Sequence, residues 1–478
     1  MLPIHLFKFL LPFSLKLAAA EGNYKKLNLT RLNETYYAVV AYVGSDEQQI
    51  NSVLIDTGSS DFWILDKSFC DSPTSESELL LNRYTNKESC EVYGSFDSDK
   101  SDTFQATDEE FFIAYGFESD SESVSGSFGA DQVSIGDIHL DEVYFGLATN
   151  TSIMPPTLGL GPISWEADGK SYANFPYQMK KEGLIDVVAY SLSLGQTEGE
   201  LLFGAIDHSK YNGTLLKTPI LQKESGGMPV LLTRVALTNG SSSVFNETIN
   251  EGYIYLDSGT PISPLPSKQF EDHFKHHGWT YDEETMNYSI ECGSEGEKFI
   301  LDYTLEYTIS GDIVIKVPFE QMIVTVESDG KCYSSVAVTD EQSFSYSSEH
   351  GVFLAGDEVL RNAYVVYNLE TQELAIAPAA NNSEETEEDI EIISEDFDIP
   401  EAKDYSKFLE YWYTAPPTTT EYGPSSTSSG SVSKETRSTS EGTVSASESS
   451  RSEDIAASSV KPLSFWGLIV SLCQFFLY

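Results

Sequence analysis

Two short segments carry residue types that can do chemistry together. Asp56-Thr57-Gly58-Ser59 and Asp257-Ser258-Gly259-Thr260 each set an acid, a hydroxyl residue, a glycine and a second hydroxyl residue in the same order, 201 positions apart. Glycine permits a tight turn and lets neighbouring backbone approach the acid. The hydroxyls of Ser59 and Thr260 suit the carboxylate oxygens, and those of Thr57 and Ser258 can bond backbone across two such loops. Two carboxylates in contact cannot both ionise, so they hold one proton between them and titrate as a pair. One member then activates a water while the other protonates or polarises a carbonyl.

Both acids are positioned alike. Val53-Leu54-Ile55 runs into Asp56 and Ile254-Tyr255-Leu256 into Asp257, so each acid ends an apolar strand. A repeat of this kind across two halves implies two similar lobes. Between residues 36 and 378, β-branched and aromatic runs alternate with Gly, Asn, Asp and Pro, as at Tyr36 to Val43, Phe111 to Tyr115 and Tyr364 to Asn368. Helical periodicity is confined to the stretches near Ala173 to Lys181 and Ser267 to His276. The expected body is all-β, with an N-terminal lobe over 21–207 and a C-terminal lobe over 208–380.

Composition excludes several partners. With 28 Lys plus Arg against 75 Asp plus Glu, the formal charge is −47, the wrong sign for holding nucleic acid. Residues 380–478 contain 18 acids and 6 bases, so −12 falls there and −35 remains on 1–379. A body this acidic repels itself near neutral pH and is relieved as carboxylates protonate. Five cysteines without a CxxC or Cys/His spacing argue against zinc, and neither a metal nor a cofactor is expected.

The ends speak to compartment. Residues 1–20 read as a signal peptide, with an apolar run from Phe9 to Leu15 and the small-residue site Ala18-Ala19-Ala20. N-glycosylation sequons stand at Asn28, Asn33, Asn150, Asn212, Asn239, Asn246, Asn287 and Asn381. Residues 381–415 read as an acidic, solvated linker, and 416–460 as an extended stalk, since Ser and Thr supply 22 of the 44 residues from 416 to 459. The tail 461–478 ends in the apolar stretch Leu463 to Tyr478. It matches a GPI-attachment signal better than a single-pass span, with attachment among Ser449, Ser450, Ser452, Asp454 and Ala456.

Over residues 36–378 the chain resembles the pepsin-like aspartic proteases. The two Asp loops match that family's active-site loops, and Tyr115-Gly116 stands where it has its flap tyrosine, with Trp63 as hydrogen-bonding partner. Leu158-Gly159-Leu160-Gly161 and Leu354-Ala355-Gly356-Asp357 resemble the elements that brace the two loops. The resemblance implies a bilobal fold with a cleft between the lobes, polypeptide substrates, and Asp56 and Asp257 as a proton-sharing dyad. It also implies the disulfides Cys70–Cys90 and Cys292–Cys332, each stabilising by roughly 3–4 kcal/mol.

Within the family, Asn174-Phe175-Pro176, Val188-Ala189-Tyr190-Ser191-Leu192 and Phe203-Gly204-Ala205-Ile206-Asp207 are similar to the fungal yapsins, with the barrier-type protease next. That subgroup implies endopeptidase processing at basic residues. It also implies a membrane partner through a GPI anchor, or glucan linkage to the cell wall.

The chain departs from the family pattern at Pro261, where a Ser or Thr is usual, and at Phe117-Glu118, which replaces Asp-Gly in the flap. The strand expected at Tyr36 begins about 15 residues after the leader, which leaves no room for a usual inhibitory prosegment. Lys25-Lys26 reads as a lysine pair in a solvated segment, with a processing site as the alternative. His273 and His277 have a spacing that zinc ligands use, but no Glu follows His273 and no third ligand is evident, so a surface helix is expected. A wall-bound adhesion protein on the same fold is the alternative function. The intact pair of acids favours an enzyme.

Overall fold

The computed structural model describes residues 23–404, except 33–35, 75–83, 116–122, 168–170, 222–226, 241, 262, 264–267, 283–286, 327–329, 335–350, 381–386, 395 and 397. The leader, the stalk and the apolar tail lie outside the described residues.

Strands dominate. In the first half they are β1 (Lys25–Leu32), β2 (Tyr36–Val43), β3 (Gln48–Asp56), β4 (Phe62–Leu65), β5 (Gln105–Ala114), β6 (Ser123–Ile135), β7 (Ile138–Thr151), β8 (Thr157–Gly159), β9 (Ala189–Leu194), β10 (Glu198–Phe203) and β11 (Ala205–Asp207). The second half adds β12 (Leu216–Pro219), β13 (Val230–Asn239), β14 (Ser242–Leu256), β15 (Thr280–Asp282), β16 (Asn287–Glu291), β17 (Thr304–Ile309), β18 (Ile313–Pro318), β19 (Ile323–Val326), β20 (Lys331–Ser334), β21 (Gly351–Ala355), β22 (Ala363–Asn368), β23 (Glu373–Pro378), β24 (Ile390–Ile392) and β25 (Lys403–Asp404). Helices form at Phe175–Lys181 and Lys268–His276, close to expectation, and also at Lys67–Asp71, Asn86–Tyr93, Glu295–Leu301 and Asp357–Leu360. Thr85 and Glu88 close a capping box on the Asn86–Tyr93 helix.

The largest sheet draws on both halves. Its order places β12-β23-β22-β9-β10-β1 side by side as a platform that continues through β2 and β3. Alternation along these strands separates two faces. Tyr190, Leu192, Val365, Tyr367, Leu374 and Ile376 join the main core. Ala189, Tyr364, Val366, Ala375 and Ala377 belong to a separate apolar cluster on the other face. A five-stranded sheet, β18-β17-β13-β14-β21, carries the second half's core. The disulfides Cys70–Cys90 and Cys292–Cys332 are both present.

Two expectations are corrected here. Lys25 and Lys26 are not in a solvated segment: β1 precedes the strand at Tyr36 and pairs with β10 from Lys25↔Phe203 to Thr30↔Glu198. Its alternation explains this, since Leu27 and Leu29 point inward and are buried. Lys26 is further held by Glu200 and Glu388. The acidic linker is also not solvated throughout. β24 pairs with β11, β25 with β12, and Ile393 and Ile399 are 0% and 1% exposed. Burial of these isoleucines outweighs the solvation preference of the acids around them.

Candidate active site

Each acid is delivered by the C-terminal end of a strand flanked by a parallel partner. Asp56 closes β3 opposite Gly159 of β8, and the Leu160 amide donates to the Asp56 carbonyl at 2.9 Å. Asp257 follows β14, which runs parallel to β21, and its amide donates to the Ala355 carbonyl at 2.9 Å. The segments 158–161 and 354–357 thus brace the two loops in equivalent ways.

The loops interlock crosswise. The Thr57 amide donates to Ser258 Oγ at 3.1 Å, and the Ser258 amide donates to Thr57 Oγ1 at 3.0 Å. Thr57 Oγ1 then donates to the Leu256 carbonyl at 2.9 Å, and Ser258 Oγ to the Ile55 carbonyl at 2.7 Å. Every hydroxyl is both donor and acceptor, so neither loop can shift without breaking bonds in the other. Tyr367 and Tyr190 secure the base, donating to the carbonyls of Leu256 and Leu160 at 2.9 and 3.0 Å.

The carboxyl groups have matching surroundings. Asp56 accepts from the Gly58 amide at 2.7 Å and Ser59 Oγ at 2.5 Å. Asp257 accepts from the Gly259 amide and Thr260 Oγ1, both at 2.8 Å. Each acid lies over the other loop's glycine: a Cβ on Gly58 would stand 2.5 Å from the Asp257 carboxyl, and one on Gly259 2.4 Å from Asp56 Oδ1. Only glycine allows that approach. Asp56 and Asp257 are 5% and 6% exposed. Burial, and for Asp56 the facing Asp257 charge, push both carboxyls above the usual range. A pair so arranged holds one proton at mildly acidic pH and can serve as base and acid at once.

Above the pair, Trp63 Nε1 donates to Tyr115 Oη at 2.8 Å, the contact implied by the resemblance. Gly116, Glu118, Asp120 and Glu122 lie outside the described residues. Of the sequon asparagines, Asn28, Asn150, Asn212, Asn239 and Asn246 are exposed. Asn287 lies in β16, with its side chain outside the described set, and Asn33 and Asn381 are outside it altogether. His273 and His277 pack edge to face on the Lys268–His276 helix and the turn after it, and no metal-ligand cluster occurs among the described residues.

Sequence reasoning missed a second acidic layer. Asp61, fully buried, accepts from the Tyr172 hydroxyl at 2.6 Å and the Ala167 amide at 3.0 Å. Glu166 beside it accepts from the Tyr172 amide at 2.8 Å, and burial pushes its carboxyl up to about 9. The only hint was the position of Asp61 between Ser60 and the buried strand Phe62–Leu65.

Comparison with known proteins defines the family of the chain as a whole. A family profile described as eukaryotic aspartyl protease matches residues 35–379. Secreted aspartic protease 10 of Candida albicans is 31% identical over 411 residues, covering 84% of this chain and 80% of that protein. Barrierpepsin of Saccharomyces cerevisiae is 30% identical over 415 residues, covering 81% and 67%. Aspartic proteinase yapsin-3 of the same yeast is 30% identical over 384 residues, covering 75% and 69%. The aspartic proteinase from Irpex lacteus, a solved structure, superposes with a TM-score of 0.56 at 22% identity over 75% of this chain and 98% of that one, a likeness of fold. The bilobal all-β fold is that of a pepsin-like protease. The chain belongs to the eukaryotic aspartyl protease family and is an aspartic endopeptidase.

Proposed function

We propose that Asp56 and Asp257 are the catalytic pair of a secreted endopeptidase. In this reading it works from a GPI-anchored stalk at the fungal cell surface or wall and processes proteins beside basic residues. The observation that carries the catalytic part is the reciprocal placement of each carboxyl over the opposite loop's glycine. Cleavage of a peptide set at acidic pH, blocked by pepstatin, tests it directly.

Secretion is supported by the leader, the sequons and the name of the secreted Candida relative. Anchoring is supported by the stalk and the apolar tail. Deleting Leu463 to Tyr478 is expected to release the protein into the medium. A truncated protein that stays with the cell envelope, or a mature chain that still contains Cys473, contradicts the anchor. A soluble chain is best ended after Asp404, because β25, which ends at that residue, pairs with β12.

The preference for basic residues is supported by the carboxylates at Glu118, Asp120 and Glu122, which follow the flap tyrosine. Attraction between unit charges a few Å apart is roughly 1–4 kcal/mol between water-like and surface dielectrics. Replacing the three by Gln, Asn and Gln is expected to lower kcat/KM on Lys and Arg peptides about fivefold or more near pH 6, with neutral peptides little changed. The difference should shrink as pH falls toward about 4. Equal losses on both peptide types count against the assignment.

A further inference from the structure

Residues 387–404 lie beyond the family match, which ends at residue 379, yet the described ones include two strands that pair with the body, β24 with β11 and β25 with β12. The Ile393 amide donates to the Gly204 carbonyl and the Lys403 amide to the Leu215 carbonyl, both at 2.9 Å. His208 donates its amide to the Asp389 carbonyl at 2.9 Å, and the Asp389 amide returns to Asp207 Oδ1 at 3.0 Å. Ile393 and Ile399 cap the apolar cluster on the platform face that points away from the catalytic loops.

Acids in the segment meet bases spread over the body. Glu388 pairs with Lys26 of β1 at 2.5 Å, Glu391 with His208 Nε2 at 2.8 Å, and Lys217 of β12 lies 2.9 Å from Asp398 and 3.2 Å from Asp404. One segment therefore grips the N-terminal strand, the last strand of the first half and the first strand of the second half. It spans the point where the chain passes between the expected lobes.

The strands it covers also reach the catalytic loops. Tyr364 and Val366 lie under the segment, while Tyr367 on the opposite face of the same strand, β22, holds the Leu256 carbonyl. Ala189 lies under it too, while Tyr190, next in β9, holds the Leu160 carbonyl. Packing on one face of a two-faced sheet fixes the height and tilt of the other.

We propose that residues 387–404 are a clasp for the platform's outer face, and that by bridging the two halves the clasp sets the relative position of the loops bearing Asp56 and Asp257. It is not a spacer between enzyme and stalk. The test uses the full-length chain with Ile393→Ser and Ile399→Ser combined. The expected result is a Tm lower by about 5–10 °C. Measured well below that Tm, kcat on a peptide should fall at least about threefold with KM little changed, because the loops rather than peptide contacts are displaced. The combination Ile393→Val with Ile399→Val should restore kcat. Wild-type values of Tm and kcat in the Ser variant overturn the clasp, and a lowered Tm with wild-type kcat overturns its positioning role. Should the Ser variant not accumulate, hydrogen exchange on the wild-type chain decides the docking. The amides of Ile393 and Lys403 must exchange as slowly as that of Val366, and random-coil exchange there overturns the proposal. The kinetic arm rests on the catalytic reading above, whereas Tm and exchange do not, so failure of either reading is seen separately.

Discussion

Replacing Asp56 by Asn, or Asp257 by Asn, is expected to lower peptide cleavage by at least about 10³-fold while leaving the fold intact. The amide has the shape of the acid, and its oxygen can still accept from the Gly58 or Gly259 amide, so the interlocked loops keep their bonds. What disappears is the shared proton, and with it the ability of one group to act as base while the other acts as acid. Near wild-type turnover in either variant would show that the pair is not the catalyst. A circular dichroism spectrum and Tm like those of the wild type must accompany the loss. The Asn variants should be no less stable at neutral pH, because they remove a buried acid that resists ionisation.

The sequence disclosed this site because its signals are local. Four consecutive residues fix each turn, and the apolar strand before them is legible from periodicity. The repeat then supplied the long-range information that a single motif lacks. Other features required neighbours that no local pattern names. β1 has only Leu27 and Leu29 as inward residues among polar ones, and it becomes a strand because β10 and β2 offer it two edges. Residues 387–404 carry so many acids that composition suggests solvent, and two isoleucines decide otherwise once an apolar face exists to receive them. Asp61 and Glu166 show the same limit in reverse. An acid in sequence reads as surface, and only the fold shows that Tyr172 and Ala167 bury these two behind the Asp56 loop.

Glu166 and other buried carboxyls set how stability depends on pH. Burial raises the carboxyls of Asp56, Asp257 and Glu373, takes Asp357 to about 8 against the opposing charges of Arg361 and Arg31, and takes Glu166 to about 9. Unfolded, the same groups titrate near 4. Between those values the folded chain binds more protons than the unfolded one, so stability falls as pH rises, by up to about 1.4 kcal/mol per pH unit for each proton held, Asp56 and Asp257 together counting as one. His273 acts in the opposite direction. Burial lowers it to about 4, so the folded form binds fewer protons from there up to its unfolded value near 6.5, and over that span it adds stability with rising pH. Above about 6.5 its contribution is constant and only the carboxyl slope remains. Asp97, lowered through its bond with Lys67, adds stability only across the acid end, near and below pH 4. The expected outcome is a Tm that falls by at least about 5 °C between pH 6.5 and pH 8. Glu166→Gln should recover part of that loss at pH 8 and change little at pH 5, since its amide oxygen can accept from Tyr172 and never has to ionise. Thermal scans of both proteins across that range check it, and a Tm that stays level or rises toward pH 8 would mean these carboxyls are not held protonated by the fold.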